Sequence, residues 1–237
     1  MCKEKLDKHD KIVIIRDMNK LILGFITMLG ITFSNAGDIT LDFAAEDQQF
    51  YRGLGRAKDA FSTTLSTEQT VAGFGVNASA SLVADSKSES HFGVGVSRQV
   101  KLGSLSLLAD AQFRYHQFEG ALPTSEEVGV GGWLATSFAD VGVHFWSDLE
   151  YDWEGIEVTV KRDLSVASIK NLTLSPFITR SWFDAYDALH AGVKATYALK
   201  DNTDVYIQGA YADNDIDVAT FAVDEEIFWS AGLTFKF

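Results

Sequence analysis

Glu226–Phe237, EIFWSAGLTFKF, is built on a period of two. Ile227, Trp229, Ala231, Leu233, Phe235 and Phe237 form one apolar series, while Phe228, Ser230, Gly232, Thr234 and Lys236 form a second that is mostly small or polar. Period two is the pattern of a β-strand whose two faces meet different surroundings. In a soluble sandwich the apolar face would meet a second sheet. In a membrane barrel it would meet lipid, and the other face would meet a watery interior.

Working back from that stretch, the same alternation recurs. The spacing predicts strands over about 38–45, 60–69, 72–85, 90–99, 103–118, 126–136, 138–149, 154–164, 170–182, 188–199 and 203–213. With the closing stretch they make twelve, or ten if the weakly patterned second one merges with its neighbours. The fifth is decisive. Leu105, Leu107, Ala109, Ala111, Phe113 and Tyr115 form one series, and Ser104, Ser106, Asp110, Gln112, Arg114 and His116 form the other. A soluble core would not take the second face; a wet lumen would. The same parity puts His144 and Asp148, Glu157 and Lys161, and His190 and Lys194 on polar faces of later strands. Asp110, Arg114, His116, His144, Asp148, Glu157, Lys161, His190 and Lys194 are therefore the candidate lumen-lining residues.

Composition agrees. Two prolines against 19 glycines and 17 phenylalanines suit long strands and aromatic belts. Tyr115, Trp182, Tyr211 and Trp229 fall near one set of strand ends, and Tyr197, Phe235 and Phe237 near the other. Arg98 and Arg180 interrupt the apolar series near strand ends, where long side chains reach polar surroundings.

The amino terminus reads as a targeting segment. Met18-Asn19-Lys20 is a short basic start, Leu21–Phe33 an apolar run, and Ser34-Asn35-Ala36 supplies small residues before a cut at Gly37. The run is short for a spanning helix. Residues 1–36 are thus expected to be a signal peptide, with translation starting at Met1 or at Met18, and residues 37–237 the barrel. Amino-terminal sequencing of membrane-extracted protein is expected to begin at Gly37. The only cysteine, Cys2, is lost with the leader. Residues 1–36 hold six of the 20 Lys/Arg and four of the 33 Asp/Glu, so 14 basic and 29 acidic side chains remain, net −15. Such a chain is a poor nucleic-acid binder.

Gap lengths set an orientation. Even-numbered gaps such as Val100–Leu102, Ser137 and Lys200–Asn202 are short, whereas odd ones include Glu46–Asp59, Glu119–Ser125 and Asn214–Glu225. Short periplasmic turns and long outer loops place both termini in the periplasm.

Two resemblances refine this reading. A carboxy-terminal Phe237 with Phe235 two residues before it resembles the closing strand of bacterial outer-membrane barrels, in which that ending is the assembly signal; this implies the barrel assembly machinery as a partner. The run Phe50-Tyr51-Arg52-Gly53-Leu54, with SHFGVGVSRQVKLGSLSLLADAQFRY and NLTLSPFITRSWFD, resembles the TorF-like porin family. That likeness implies an outer-membrane barrel surrounded by lipid and a pore for small solutes. It supplies no catalytic residue.

Other constellations are weaker. Ser90-His91 suggests a rim lipid hydrolase, but the residue two after the histidine is Gly93, not serine. A metal site would need His116, His144 and His190 to converge. Asp213, Asp215 and Asp217 have the spacing of a calcium loop with Asp224 in the twelfth place, yet Val218 stands where glycine is required. Arg52, Arg56 and Lys58 form a basic cluster in the first long gap. The expectation is an all-β, antiparallel transmembrane barrel acting as a passive channel, without enzymatic activity, cofactor or metal. A structural or adhesive barrel is the alternative. Acids outside the strands, among them Asp224, Glu225 and Glu226, exceed those on the predicted inner face, where Asp42, Asp110, Asp140, Asp148, Glu157 and Asp163 are partly balanced by Arg114, Lys161, Lys194 and Lys236; the channel is expected to prefer cations mildly.

Overall fold

The computed structural model describes residues 38–51, 54–84, 89–103, 105–118, 124–184, 186–215 and 226–237. Residues 1–37, with the expected signal peptide, and Arg52, Asp217, Asp224 and Glu225 lie outside the described residues, as do the side chains of Arg56 and Lys58.

Twelve antiparallel strands close into a barrel: β1 (Asp38–Tyr51), β2 (Leu54–Val71), β3 (Phe74–Ala84), β4 (Glu89–Leu102), β5 (Leu105–Phe118), β6 (Ser125–Ala135), β7 (Asp140–Asp148), β8 (Trp153–Lys161), β9 (Leu172–Phe183), β10 (Tyr186–Lys200), β11 (Thr203–Asn214) and β12 (Glu226–Lys236). Each pairs with its neighbour in the chain, and β12 returns to β1, with Thr40 opposite Lys236 and Glu46 opposite Ser230. Two further hydrogen bonds extend the seam, Phe237 N to Ile39 O at 2.9 Å and Ile39 N to Phe237 O at 3.3 Å. Closure leaves no sheet edge. The short piece Leu164–Ser165 follows β8 and pairs with the start of β9.

Alternation sorts the two faces. Phe61, Leu82, Val130, Val143, Ile178, Ile207, Trp229 and Leu233 are exposed, while Ser62, Glu127, His144, Trp146, Ser181 and Phe228 are buried. The outside is thus apolar and the inside carries the polar groups. That inversion relative to a soluble core follows from the parity seen in β5 and β12.

Most turns at the end where β1 begins and β12 ends are tight. Ala72 and Gly73 both have positive φ (51° and 81°) between the paired Val71 and Phe74, the geometry of a two-residue hairpin turn that matches strand twist. In the β6–β7 turn, Thr136 Oγ1 donates to Ala139 O at 2.6 Å and accepts from the amides of Phe138 and Ala139. Pro176 sits inside β9 without penalty. Its carbonyl accepts from Arg162 N at 3.1 Å, just beyond the end of β8, so its missing donor faces a break in the neighbouring ladder.

Three sequence expectations change. The stretch Glu46–Asp59 is not a loop: β1 runs on to Tyr51, β2 resumes at Leu54, and Gln48 pairs with Lys58. Backbone pairing needs no apolar alternation, so polar residues extend this hairpin. The second strand is correspondingly the longest, at 18 residues. Its pattern is weak because hydroxyl residues occupy both faces. Lastly, β8 ends at Lys161, so Asp163 lies past it, exposed, and accepts from Ser175 Oγ at 2.6 Å. The connection 162–171 is then long, on the end where short turns were expected, and gap length no longer separates the two ends cleanly.

Candidate functional site

The inner face divides into two kinds of wall. On β2 and β3 the inward positions are mostly small and polar, among them Ser62, Thr64, Ser66, Asn77, Ser79 and Ser81; Thr64 Oγ1 donates to Ser81 Oγ at 2.9 Å. On β6 to β12 the face carries aromatic rings and most of the charge.

Of the sequence candidates on β5 and β7, Asp110, Arg114 and His144 are joined in one network. Gln112 Nε2 donates to Asp110 Oδ1 at 2.9 Å, and Arg114 Nη2 donates to Gln112 Oε1 at 2.9 Å. Asp110 Oδ2 meets His144 Nε2 at 3.0 Å although β6 stands between their strands. Gly131 makes that contact possible. It pairs with Asp110 on one side and His144 on the other, and an added Cβ would collide with the His144 ring. His116 is only 5% exposed; its ring packs against His91 with centroids 4.8 Å apart, and its Nε2 lies 3.6 Å from Glu127. His91 in turn lies 3.5 Å from Glu89.

Asp148 has a local role. Its Oδ2 accepts from Ser125 Oγ at 2.7 Å, and its Oδ1 accepts the amides of Glu150 and Tyr151 at 3.0 and 3.1 Å, so it caps the β7–β8 turn. Glu157 receives Ser181 Oγ at 3.5 Å. His190 lies between Phe177 and Phe228, with ring centroids at 4.9 and 5.5 Å. Lys161 Nζ stands over Trp133 and Lys194 Nζ over Tyr206. The Tyr206 hydroxyl donates to Asp42 at 3.0 Å, and Thr234 donates to the other Asp42 oxygen at 2.6 Å. Phe235 packs edge-on against Phe43 across the seam, with centroids 6.3 Å apart.

The three histidines named from the sequence therefore do not converge: each has its own partners. Among the described residues no group of three or more His, Cys, Asp and Glu could hold a metal ion. Ser90 and His91, adjacent in β4, point to opposite faces and form no dyad. Arg98 lies over the Phe74 ring, and Arg180 pairs with Asp187 at 3.0 Å.

Sequence reading missed Glu46, Glu89 and Glu127 as inner-face acids. Glu89 and Glu127 are buried, and Glu46 accepts from Ser62 Oγ at 2.8 Å. The inner face is consequently more acidic than the balance drawn from Asp42 to Asp163. Their parity was the available signal: Glu46 continues Asp42 and Ala44, and Glu127 precedes Gly129 and Gly131.

Glycine–aromatic pairing holds the rings to the wall. Trp146 is opposite Gly129, Trp133 opposite Gly142, Phe183 opposite Gly155 and Tyr206 opposite Gly232. At each glycine an added Cβ would run into its partner's ring. The rings thus lie over bare backbone instead of crossing the interior. Gly129→Leu is expected to lift Trp146, which is 1% exposed, off this seat. The near-ultraviolet circular dichroism should change while the far-ultraviolet strand signal stays. Gly209→Leu is the control, since a Cβ there meets nothing within 4 Å.

At the end bearing the termini the interior opens into a cavity of about 640 Å³ lined by Asp38, Thr40, Ser66, Glu68, Asn77 and Lys236, among others. Lys236 Nζ reaches Asp204 at 2.7 Å.

No protein-family model matches the sequence, and no curated protein does. Solved structures do. A KdgM porin aligns with a TM-score of 0.54 at 13% identity, over 84% of this chain and 99% of that one. A NanC porin aligns with a TM-score of 0.54 at 14% identity, over 85% of this chain and all of that one. At this level of identity the likeness is one of fold: the protein is built as these porins are.

Proposed function

We propose that the protein is an outer-membrane channel through which small solutes pass passively, with a mild preference for cations. The observation that carries this reading is the closed twelve-stranded barrel with an apolar outside, a charged inside and interior rings laid flat against glycines. An apolar outer surface needs lipid, and closure satisfies the backbone there. Twelve strands lie between the filled eight-stranded barrels and the wide porins. The porin fold of the KdgM and NanC structures supports the reading, and so does the sequence resemblance to TorF-like porins. On this proposal the mature chain starts at Gly37, both termini are periplasmic, and the barrel assembly machinery inserts it.

Asp110, Arg114, His116, His144, Asp148, Glu157, Lys161, His190 and Lys194 would line the pore. Their contribution to selectivity follows from charge. Asp42, Glu46, Glu89, Asp110, Glu127 and Glu157 face the same interior as Arg114, Lys161 and Lys194. The excess of carboxylates sets the sign of the field met by a passing ion.

The test is the reversal potential of refolded protein in a planar bilayer across a salt gradient, at two mean salt concentrations. A cation preference at low salt that fades as salt rises is expected, because screening acts over about 10 Å at 0.1 M. Glu157→Gln, which keeps the bond from Ser181, should weaken the preference. A clear anion preference would refute the charge assignment. Absence of conductance would leave a structural or adhesive barrel.

A further inference from the structure

Three inner-face cations are seated on aromatic rings. The Arg114 guanidinium lies 4.0 Å from the Trp146 centroid, Lys161 Nζ 4.4 Å from Trp133, and Lys194 Nζ 3.7 Å from Tyr206. Each ring in turn lies over a glycine of the next strand, so the order backbone, ring, cation is repeated three times. Two stacks belong to β6 and β7; the third belongs to β11 and β12, half the ring of strands away. Carboxylates border each one. Tyr206 donates to Asp42, Asp140 is opposite Lys161, and Glu127 is opposite Arg114.

We propose that these ring faces are transient binding sites for organic cations with a guanidinium or ammonium head, which cross by exchanging with the resident side chains. This rests on the channel reading. The resident heads are themselves the evidence of fit: they occupy the ring faces with the chemistry the solute would bring. Attraction of a cation to a ring is weak and reversible. Conduction requires that kind of site, favourable enough to enter and weak enough to leave. The two tryptophan rings on one wall are no more than about 12 Å apart, since the His144 ring lies 5.7 Å from Trp133 and 6.1 Å from Trp146. A solute leaving one ring therefore meets the next after a short step. Guanidinium gains most, because it is weakly hydrated and gives up little water to reach a ring, whereas a compact hydrated ion gives up more.

The experiment is a bi-ionic reversal potential, potassium chloride against ethylguanidinium chloride, on the full barrel in a planar bilayer. The permeability of ethylguanidinium relative to potassium should exceed the ratio of their mobilities in free solution. The double variant Trp146→Leu, Tyr206→Leu should lower that ratio by about threefold. Trp146→Phe should retain most of it, and Lys194→Gln should raise it by clearing a ring face without disturbing the ring. Normal potassium conductance with a ratio no greater than that of the mobilities overturns the proposal and leaves the channel standing. No potassium conductance overturns both. Should the double variant fail to assemble, an unchanged ratio in Lys194→Gln is the overturning result.

Discussion

Arginine in place of Val193 or Ile207 is expected to destabilise the refolded barrel by about 2–4 kcal/mol, the cost of that side chain on a lipid-facing wall near the midplane. Val193 is 46% exposed and Ile207 58% exposed, and both sit near the middle of their strands, β10 and β11. Thr196, three residues after Val193, lies on the opposite face of the same strand, and Thr196→Arg should cost much less. The comparison is made by denaturant titration in lipid vesicles. Ala109 is a poorer probe than its apolar parity suggests, because it pairs with Arg98 and lies close to the start of β5. Equal costs at Val193 and Thr196 would mean that the outer face does not meet lipid.

The second large effect concerns the last residue. Deleting Phe237 removes both backbone bonds to Ile39 as well as the ring, whereas Phe237→Ala removes the ring and keeps the seam. The ring is 72% exposed, so it adds little to packing within the barrel. If the assembly machinery reads this side chain, Phe237→Ala should lose most of its assembled barrel in cells, seen as loss of heat-modifiable mobility, yet refold normally in detergent. The deletion should suffer in both settings. Normal assembly of Phe237→Ala in cells would assign the residue to the seam alone.

What could be read from the sequence depended on contrast between the two faces. In β5 and β12 apolar and polar residues alternate with one exception each, Leu108 and Phe228, and parity alone sorted Asp110, Arg114 and His116 from Leu107, Ala109 and Phe113. In β2 both faces carry Ser and Thr, so the pattern gave no phase and the strand looked short. The polar continuation of β1 through Gln48 was hidden for a related reason: ladder hydrogen bonds hold it, and they leave no trace in side-chain polarity. The glycine–ring pairs were out of reach because they need register. Gly129 meets Trp146 only because the Thr136–Ala139 turn sets Ala135 opposite Asp140, and that alignment is a property of the turn. The Asp110–His144 contact likewise needs three strands in register around Gly131.

The seam between β12 and β1 has a consequence for how the chain reaches its native state. Every other neighbouring pair of strands is also adjacent in sequence and can form as a hairpin while the chain is being delivered. The closing pair joins the first and last strands of the barrel, and contacts of such sequence separation are slow to find. Until the final strand arrives, the protein is an open sheet with two unpaired edges and one largely apolar face, a form prone to aggregate. Closure is therefore expected to come last, with the interval before it spent under the protection of other factors.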